Sequence, residues 1–252
     1  MIYVLLPAYN EEDGIGHVLE KICTMQAQGR ESFHVVVVDD GSHDATSAIA
    51  TGFADRLGIK VFRFDQNQGV SEVFKTGMRF IVAESDDPEH DVCVVLDSDN
   101  TQDPDLMIEM VAKVRAGEDI VIASRFAEGG GMRGCPWFRG VLSVGVSWIM
   151  RTVIGLPGVK DYSTFYRAYR VKTLQKGFDR YGDELLAGKG FAAISALLIK
   201  LGNVTSRIAE VPFVLRYDLK QGTSGIKVWK TMRGYFELIG EYWTTKRFQS
   251  VK

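Results

Sequence analysis

Val92-Cys93-Val94-Val95-Leu96-Asp97-Ser98-Asp99 decides how this chain reads. The apolar run predicts a buried strand over 92–97. Asp97 and Asp99 then stand at its C-terminal end, the edge at which open α/β sheets bind ligands. Two carboxylates one residue apart repel each other unless a cation neutralises them. A divalent ion of the Mg2+ or Mn2+ type, shared with a substrate's phosphates, suits such oxygen ligands. An exposed acidic turn is the plainer reading of the triplet taken alone.

Two other segments have the same form. Ile2 to Leu6 reads as a strand running into Pro7-Ala8-Tyr9-Asn10-Glu11-Glu12. There Asn10 is placed to cap a helix with Glu11, Glu12 and Asp13 in its first turn. His34 to Val38 reads as a strand ending in Asp39-Asp40-Gly41-Ser42, where Gly41 permits a tight turn and Ser42 is placed to cap the next helix. Capping accounts for Asn10 and Ser42. It does not account for Asp39, Asp40, Asp97 and Asp99 gathering on one edge.

Outward from these runs the chain alternates. Strands are predicted at 2–6, 34–39, 60–64, 92–97 and 119–123, and helices at 11–27, 44–57, 69–84 and 104–116. That alternation predicts an α/β fold, a mostly parallel open sheet with helices on both faces and further helices toward the C-terminus. Near residue 127 the composition shifts to glycine, arginine and aromatics. We read 1–252 as one domain with a first half (1–126), a second half (127–227) and an amphipathic helix and tail (228–252).

The 252 residues suffice for a sizeable core, and 46% hydrophobic with 25% charged residues is ordinary for a globular protein. A net charge of −2 gives no support for nucleic-acid binding. Cys23, Cys93 and Cys135 lack metal spacing and suggest reduced thiols in a cytoplasmic protein. The four histidines are scattered and receive no role. The first strand starts directly after Met1, which predicts no signal peptide, and no apolar run reaches the roughly 20 residues of a membrane span.

The three motifs Pro7-Ala8-Tyr9-Asn10-Glu11, Val38-Asp39-Asp40-Gly41-Ser42 with Asp44 and Thr46, and Asp97-Ser98-Asp99 resemble, in order, the signatures of the family 2 inverting glycosyltransferases. The resemblance implies the GT-A fold and a nucleotide diphosphate sugar, GDP- or UDP-linked, as donor. It implies that Pro7, Tyr9 and Glu11 line the nucleotide pocket and that Asp39 holds the base or ribose. It places Asp97 beside the ribose or sugar and, with Asp99, at the metal. The relatives' glutamine ligand falls at Thr101 here, with Gln102 one position later as the alternative oxygen donor.

Downstream, Ser124-Arg125-Phe126, Asp161 to Tyr169, Glu210-Val211-Pro212-Phe213 and Gly222-Thr223-Ser224 resemble the polyprenyl-phosphate sugar transferases, the branch that includes dolichol-phosphate mannose synthases. That branch implies a hexose, mannose or glucose, moved to a polyprenyl or dolichyl phosphate. Such an acceptor is already ionised near neutral pH, so positioning arginines matter more than a general base. Arg125 and Arg139, with Ser163 and Thr164, are the candidates for the acceptor phosphate, and Arg216 for the donor diphosphate. Gly225 stands where these relatives carry a lysine, whose role falls to Lys220 or Lys227. Thr164 replaces a glycine.

After Pro136 a helix is predicted with Arg139, Ser143, Ser147 and Arg151 as one polar stripe. A helix apolar over most of its circumference is either core or bound to an interface. Either this helix and a last one at roughly 226–244 pack on the domain, or they attach the chain peripherally to the cytoplasmic face of a membrane. A family member with a soluble sugar, glycan or protein acceptor, and a non-catalytic nucleotide-sugar sensor, are the alternatives.

Overall fold

The computed structural model describes residues 1–188, 190, 192–220 and 228–244; the side chains of Phe138, Arg139, Val141 and several residues of the last helix lie outside the described set. The first half alternates as its apolar runs dictate: β1 (Ile2–Ala8), α1 (Glu12–Ala27), β2 (Phe33–Asp39), α2 (Thr46–Thr51), β3 (Gly58–Arg63), α3 (Val70–Glu84), β4 (Val92–Val95), α4 (Leu106–Arg115) and β5 (Ile120–Ser124). The second half adds β6 (Gly131–Arg133), α5 (Trp137–Val153), β7 (Arg167–Arg170), α6 (Val171–Tyr181), α7 (Ala192–Gly202), β8 (Ile208–Pro212), β9 (Val214–Arg216) and α8 (Val228–Thr244). Each predicted element of the first half is present. The second helix is shorter than expected, ending at Thr51 before a run of turns.

One seven-stranded sheet has the order β3-β2-β1-β4-β7-β5-β8. Its pairs are parallel except at β7, which runs antiparallel to both β4 and β5. Strands β6 and β9 form a separate parallel pair. Alternation of side chains along β1 shows why both faces need cover. Ile2, Val4, Leu6 and Ala8 pack with α1, α2 and α4. Tyr3 and Leu5 pack on the opposite side with α3, α5, α6, α7 and α8. Helix α7 is buried on all sides, from Ala192 to Leu201, in line with its apolar sequence. Thus β1, β2 and β4 run the same way, and their C-terminal ends open on one edge.

Candidate active site

Two loops at that edge are laced to each other. Asn10 N donates to Ser42 Oγ at 2.9 Å, His43 N to Asn10 Oδ1 at 2.9 Å, and Glu11 N to Thr46 Oγ1 at 2.9 Å. Neither Asn10 nor Ser42 caps a helix; the residues before α1 and α2 are Glu11 and Ala45, and neither makes a side-chain cap. The capping expectation fails because the polar side chains find partners across the sheet edge instead of within their own turn. Asn10 has a left-handed backbone (φ 52°), as does Asn100 (φ 61°) beside Asp99, a conformation asparagine tolerates better than most residues. Gly41 is needed for its turn: its φ is +75°, and a Cβ there would lie 2.7 Å from the Gln66 backbone.

Asp39 is fully buried. Its carboxylate accepts hydrogen bonds from Ser42 N at 2.8 Å and from the hydroxyls of Ser42 and Ser47, with Arg63 Nε 3.8 Å away. Asp40 accepts from the backbone of Gln68 and Gly69 and so anchors the start of α3. The second acidic pair therefore braces the floor of the edge.

The first turn of α1 sits directly on the Asp97–Asp99 turn. A Cβ at Gly14 would lie 2.6 Å from Ser98 O and 2.8 Å from Asp99 Cα, so only glycine admits this approach. Ser98 Oγ donates to Pro7 O at 2.8 Å, tying the turn to β1. Gln102 is buried and reciprocally bonded to Asp97: Nε2 donates to Asp97 Oδ2 at 2.6 Å, and Asp97 N donates to Gln102 Oε1 at 2.9 Å. Thr101 N and Oγ1 both donate to Asp99 Oδ1, at 3.1 and 2.6 Å. Gln102 and Thr101 thus orient the two carboxylates, and the side-chain oxygen proposed for a metal on Gln102 is turned toward the Asp97 backbone.

Lys220 completes the cluster. Its ammonium is 2.5 Å from Asp99 Oδ2 and 4.0 Å from Glu11 Oε1. Burial, reinforced by Asp99, pushes the Asp97 carboxyl up to about 8. Burial likewise pushes Glu11 up to about 7 against the pull of Lys220. Lys220 itself is raised, because its acidic neighbours outweigh the effect of burial. Three carboxyl groups crowd one ammonium, and two of them are pushed toward their protonated forms, so the cluster favours the arrival of more positive charge. Among the described residues no group of three acidic, His or Cys side chains closes into a cage for an ion. The donors present suit a hard divalent ion that keeps open positions for water and phosphate, held by Asp99 with Glu11 and Asp97 near it.

Arg125 follows β5 and forms a two-pronged pair with fully buried Asp161: Nε to Oδ2 and Nη2 to Oδ1, both 2.8 Å. Nη2 also donates to Ser163 Oγ at 2.6 Å. Arg125 holds Asp161 below the usual carboxylate range despite burial. Thr164 N donates to the same carboxylate at 3.2 Å, so Ser163 and Thr164 are wound around it. Ser143 Oγ of α5 lies 3.5 Å from Ser163 Oγ. Ser143 and Ser147 of the polar stripe predicted on α5 therefore face inward, whereas Arg151 of the same stripe is exposed, as are Trp137 (80% exposed), Val144 and Trp148 (65% exposed). Phe236 of α8 is 61% exposed.

Of the residues picked from sequence, Glu11, Asp97, Asp99 and Lys220 converge, and Arg125, Ser163 and Thr164 form a second group. Arg125 is near enough to Asp97 to favour its ionised form. Pro7 contributes its carbonyl to the turn, and Tyr9 is exposed at the rim. Arg216 pairs instead with Asp218 at 2.8 Å, though its backbone N donates to Thr101 O at 3.0 Å. The side chain of Arg139, and Lys227 and Gly222 to Gly225, lie outside the described residues.

The arrangement meets its relatives here. Residues 3–178 match the model of glycosyl transferase family 2. The chain belongs to that family. It is 27% identical over 245 residues to a dolichol-phosphate mannosyltransferase of Pyrococcus furiosus, covering 94% of this chain and 63% of the relative. It is 31% identical over 175 residues to a polyprenol monophosphomannose synthase of Mycolicibacterium smegmatis, covering 69% and 63%. The match thus spans under two thirds of either relative. Among solved structures, glucosyl-3-phosphoglycerate synthase from Mycobacterium tuberculosis, in complex with Mn2+, UDP and phosphoglyceric acid, superposes with a TM-score of 0.67 at 20% identity, covering 100% of this chain and 80% of that one. This likeness establishes the GT-A fold.

Proposed function

We propose that this family 2 chain moves a hexose, mannose or glucose, from a GDP- or UDP-linked sugar to a polyprenyl or dolichyl phosphate at the cytoplasmic face of a membrane. One observation carries the reading: Arg125, forked onto Asp161 and Ser163, stands near enough to the acidic cluster around Asp99 to favour the ionised form of Asp97, and Ser163 meets Ser143 of a helix that turns tryptophans outward. The names of the two curated relatives support the acceptor class. Among the described residues no helix is long and apolar enough to cross a membrane, so α5 and α8 are the candidate contacts with lipid.

The chemistry follows from the groups present. Glu11 and the Asp97–Asp99 turn receive the donor, with Asp39 bracing the loop that meets its nucleoside. A bound Mg2+ or Mn2+ at Asp99 would neutralise charge on the departing nucleotide diphosphate. Arg125 holds the acceptor phosphate. Its Nε and Nη2 are engaged by Asp161 and Ser163, which leaves the Nη1 edge of a fixed fork for a phosphate oxygen. That oxygen attacks the anomeric carbon opposite the leaving diphosphate, one C–O bond forms as the other breaks, and the configuration inverts. The outward tryptophans of α5 would place the isoprenoid tail in the lipid interface.

The test is a matrix of GDP- and UDP-linked hexoses against a short-chain polyprenyl phosphate, free sugars and glycan acceptors, with and without Mn2+. Metal-dependent glycosyl polyprenyl phosphate is the expected product, and Arg125→Ala raises acceptor KM. Transfer only to a soluble acceptor, or nucleotide binding without transfer to any acceptor, overturns the reading. Trp148→Ala should weaken sedimentation with anionic vesicles by about tenfold, since a large aromatic side chain gains about 1.5–3 kcal/mol on leaving water.

A further inference from the structure

We infer that Lys220 is a resident counter-ion of the donor site, holding Asp99 in the place a divalent cation takes and exchanging with that cation when it binds. The inference rests on the metal assignment above. Asp99 has two carboxylate oxygens, and Oδ1 is committed to Thr101 N and Oγ1. Lys220 Nζ occupies Oδ2 at 2.5 Å. A divalent ion bonding Oδ2 at about 2 Å would stand within a few ångströms of the ammonium, and in a half-buried site the two cations repel each other strongly, so they compete for that oxygen.

The structure lets the ammonium leave without the chain following. The backbone carrying Lys220 is pinned nearby, where Arg216 N donates to Thr101 O at 3.0 Å, and Lys220 N donates to Tyr217 O at 3.3 Å. The four-carbon lysine stem is flexible, though only 12% exposed, so its charge can shift by side-chain rotation on a fixed backbone. A donor diphosphate arriving with the metal offers the displaced ammonium a new anion. Metal alone must displace Lys220 with nothing to compensate it; metal with diphosphate need not. Metal and nucleotide should therefore bind with positive coupling, and Lys220 is a positioning residue that sets its size.

Mn2+ binding to the full chain, followed by electron paramagnetic resonance without nucleotide, tests this directly. Lys220→Met should bind Mn2+ on the order of tenfold more tightly than the unaltered chain, because a competing unit charge is gone. Adding GDP or UDP should tighten Mn2+ binding in the unaltered chain and much less so in Lys220→Met. Unchanged or weaker Mn2+ binding in Lys220→Met overturns the exchange. Asp99→Asn separates the two readings: if it abolishes Mn2+ binding, the metal assignment stands whatever Lys220→Met does, and if it leaves Mn2+ binding intact, the metal assignment itself fails. Should Lys220→Met not fold, acylation of Lys220 by a small anhydride, read by mass spectrometry, gives the answer on the unaltered chain. Mn2+ should speed labelling; no change counts against exchange.

Discussion

At the edge proposed to take the donor, the charged groups stand on or just beyond the strands that carry them: Asp39 ends β2, and Asp97 and Asp99 follow β4 within one tight turn. On the side proposed to take the acceptor, Arg125 also follows its strand at once, but takes its shape from Asp161, 36 residues later, and from Ser163. The first arrangement is set by backbone geometry and parallel register. The second is set by one buried ion pair joining β5 to a loop. Backbone register survives the loss of a single side chain, whereas a structure organised around one ion pair does not. The two sides should therefore fail differently when mutated.

Asp161→Asn should be the most damaging change. It strands the nearly buried guanidinium of Arg125 without its carboxylate, and breaking such a pair from one side costs about 3–5 kcal/mol. Thermal unfolding should show a drop of roughly 10 °C or more, together with a raised acceptor KM in protein that remains folded. A stability like that of the unaltered chain would mean the acceptor side does not depend on the pair.

Asp99→Asn should do the reverse. Turnover should fall by about a hundredfold to a thousandfold, the scale of losing one preorganised charged group at a reacting centre. The melting temperature should barely move, since Asp99 is partly exposed and its turn is held by Ser98, Gln102 and Gly14. A large stability loss would erase the contrast between the two sides.

Gly14→Ala sharpens the comparison by attacking the donor edge through its backbone. The added methyl meets Ser98 O at 2.6 Å, and neither α1 nor the turn can give way by rotating a side chain. Overpacking of this kind costs about 1–3 kcal/mol. Nucleotide affinity, measured by calorimetry, should fall while the acceptor KM of the residual activity holds steady.

The smallest effect is on pH. Asp97, pushed up to about 8, and Glu11, up to about 7, keep protons in the folded chain where the unfolded chain has released them. Their contribution to stability is complete below pH 4 and declines as pH rises toward 8. The Tm of the unaltered chain should therefore fall steadily as pH rises from 5 to 8, read by thermal unfolding across that range. Asp97→Asn, which cannot titrate, should flatten that slope. The acceptor-side carboxylate Asp161, held low by Arg125, adds nothing in this window.

This asymmetry also explains what could be read beforehand. Val92 to Leu96 and Val35 to Val38 announce buried strands, and the turns that follow carry their own chemistry, so Asp97, Asp99 and the sheet around them were legible locally. Arg125 was legible as a candidate, but its clamp on Asp161 was not, because no local pattern links positions so far apart. Lys220 on Asp99 spans 121 residues. Gln102 looked like a spare oxygen donor; only folding turns it back onto Asp97. Strand β7 was missed because Arg167-Ala168-Tyr169-Arg170 looks polar. Arg167 is nevertheless fully buried, its guanidinium donating to the carbonyls of Ile194 and Tyr162 at 2.9 and 2.8 Å. Helix α5 was read as a helix with a polar stripe; which side faced inward needed Ser163 as its partner.

The antiparallel β7, wedged between β4 and β5, has a consequence for how the molecule is made. A nascent chain that has emerged only as far as residue 126 holds β4 and β5 with no strand between them, and both present unpaired edges. The gap closes once residues 167–170 arrive from the ribosome, and the outermost strand, β8, is added later still. Such long-range closure favours slow folding. It also puts the interval of greatest exposure to aggregation before residues 167–170 are made, when the strands of the acidic edge, β1, β2 and β4, are complete but the sheet is not.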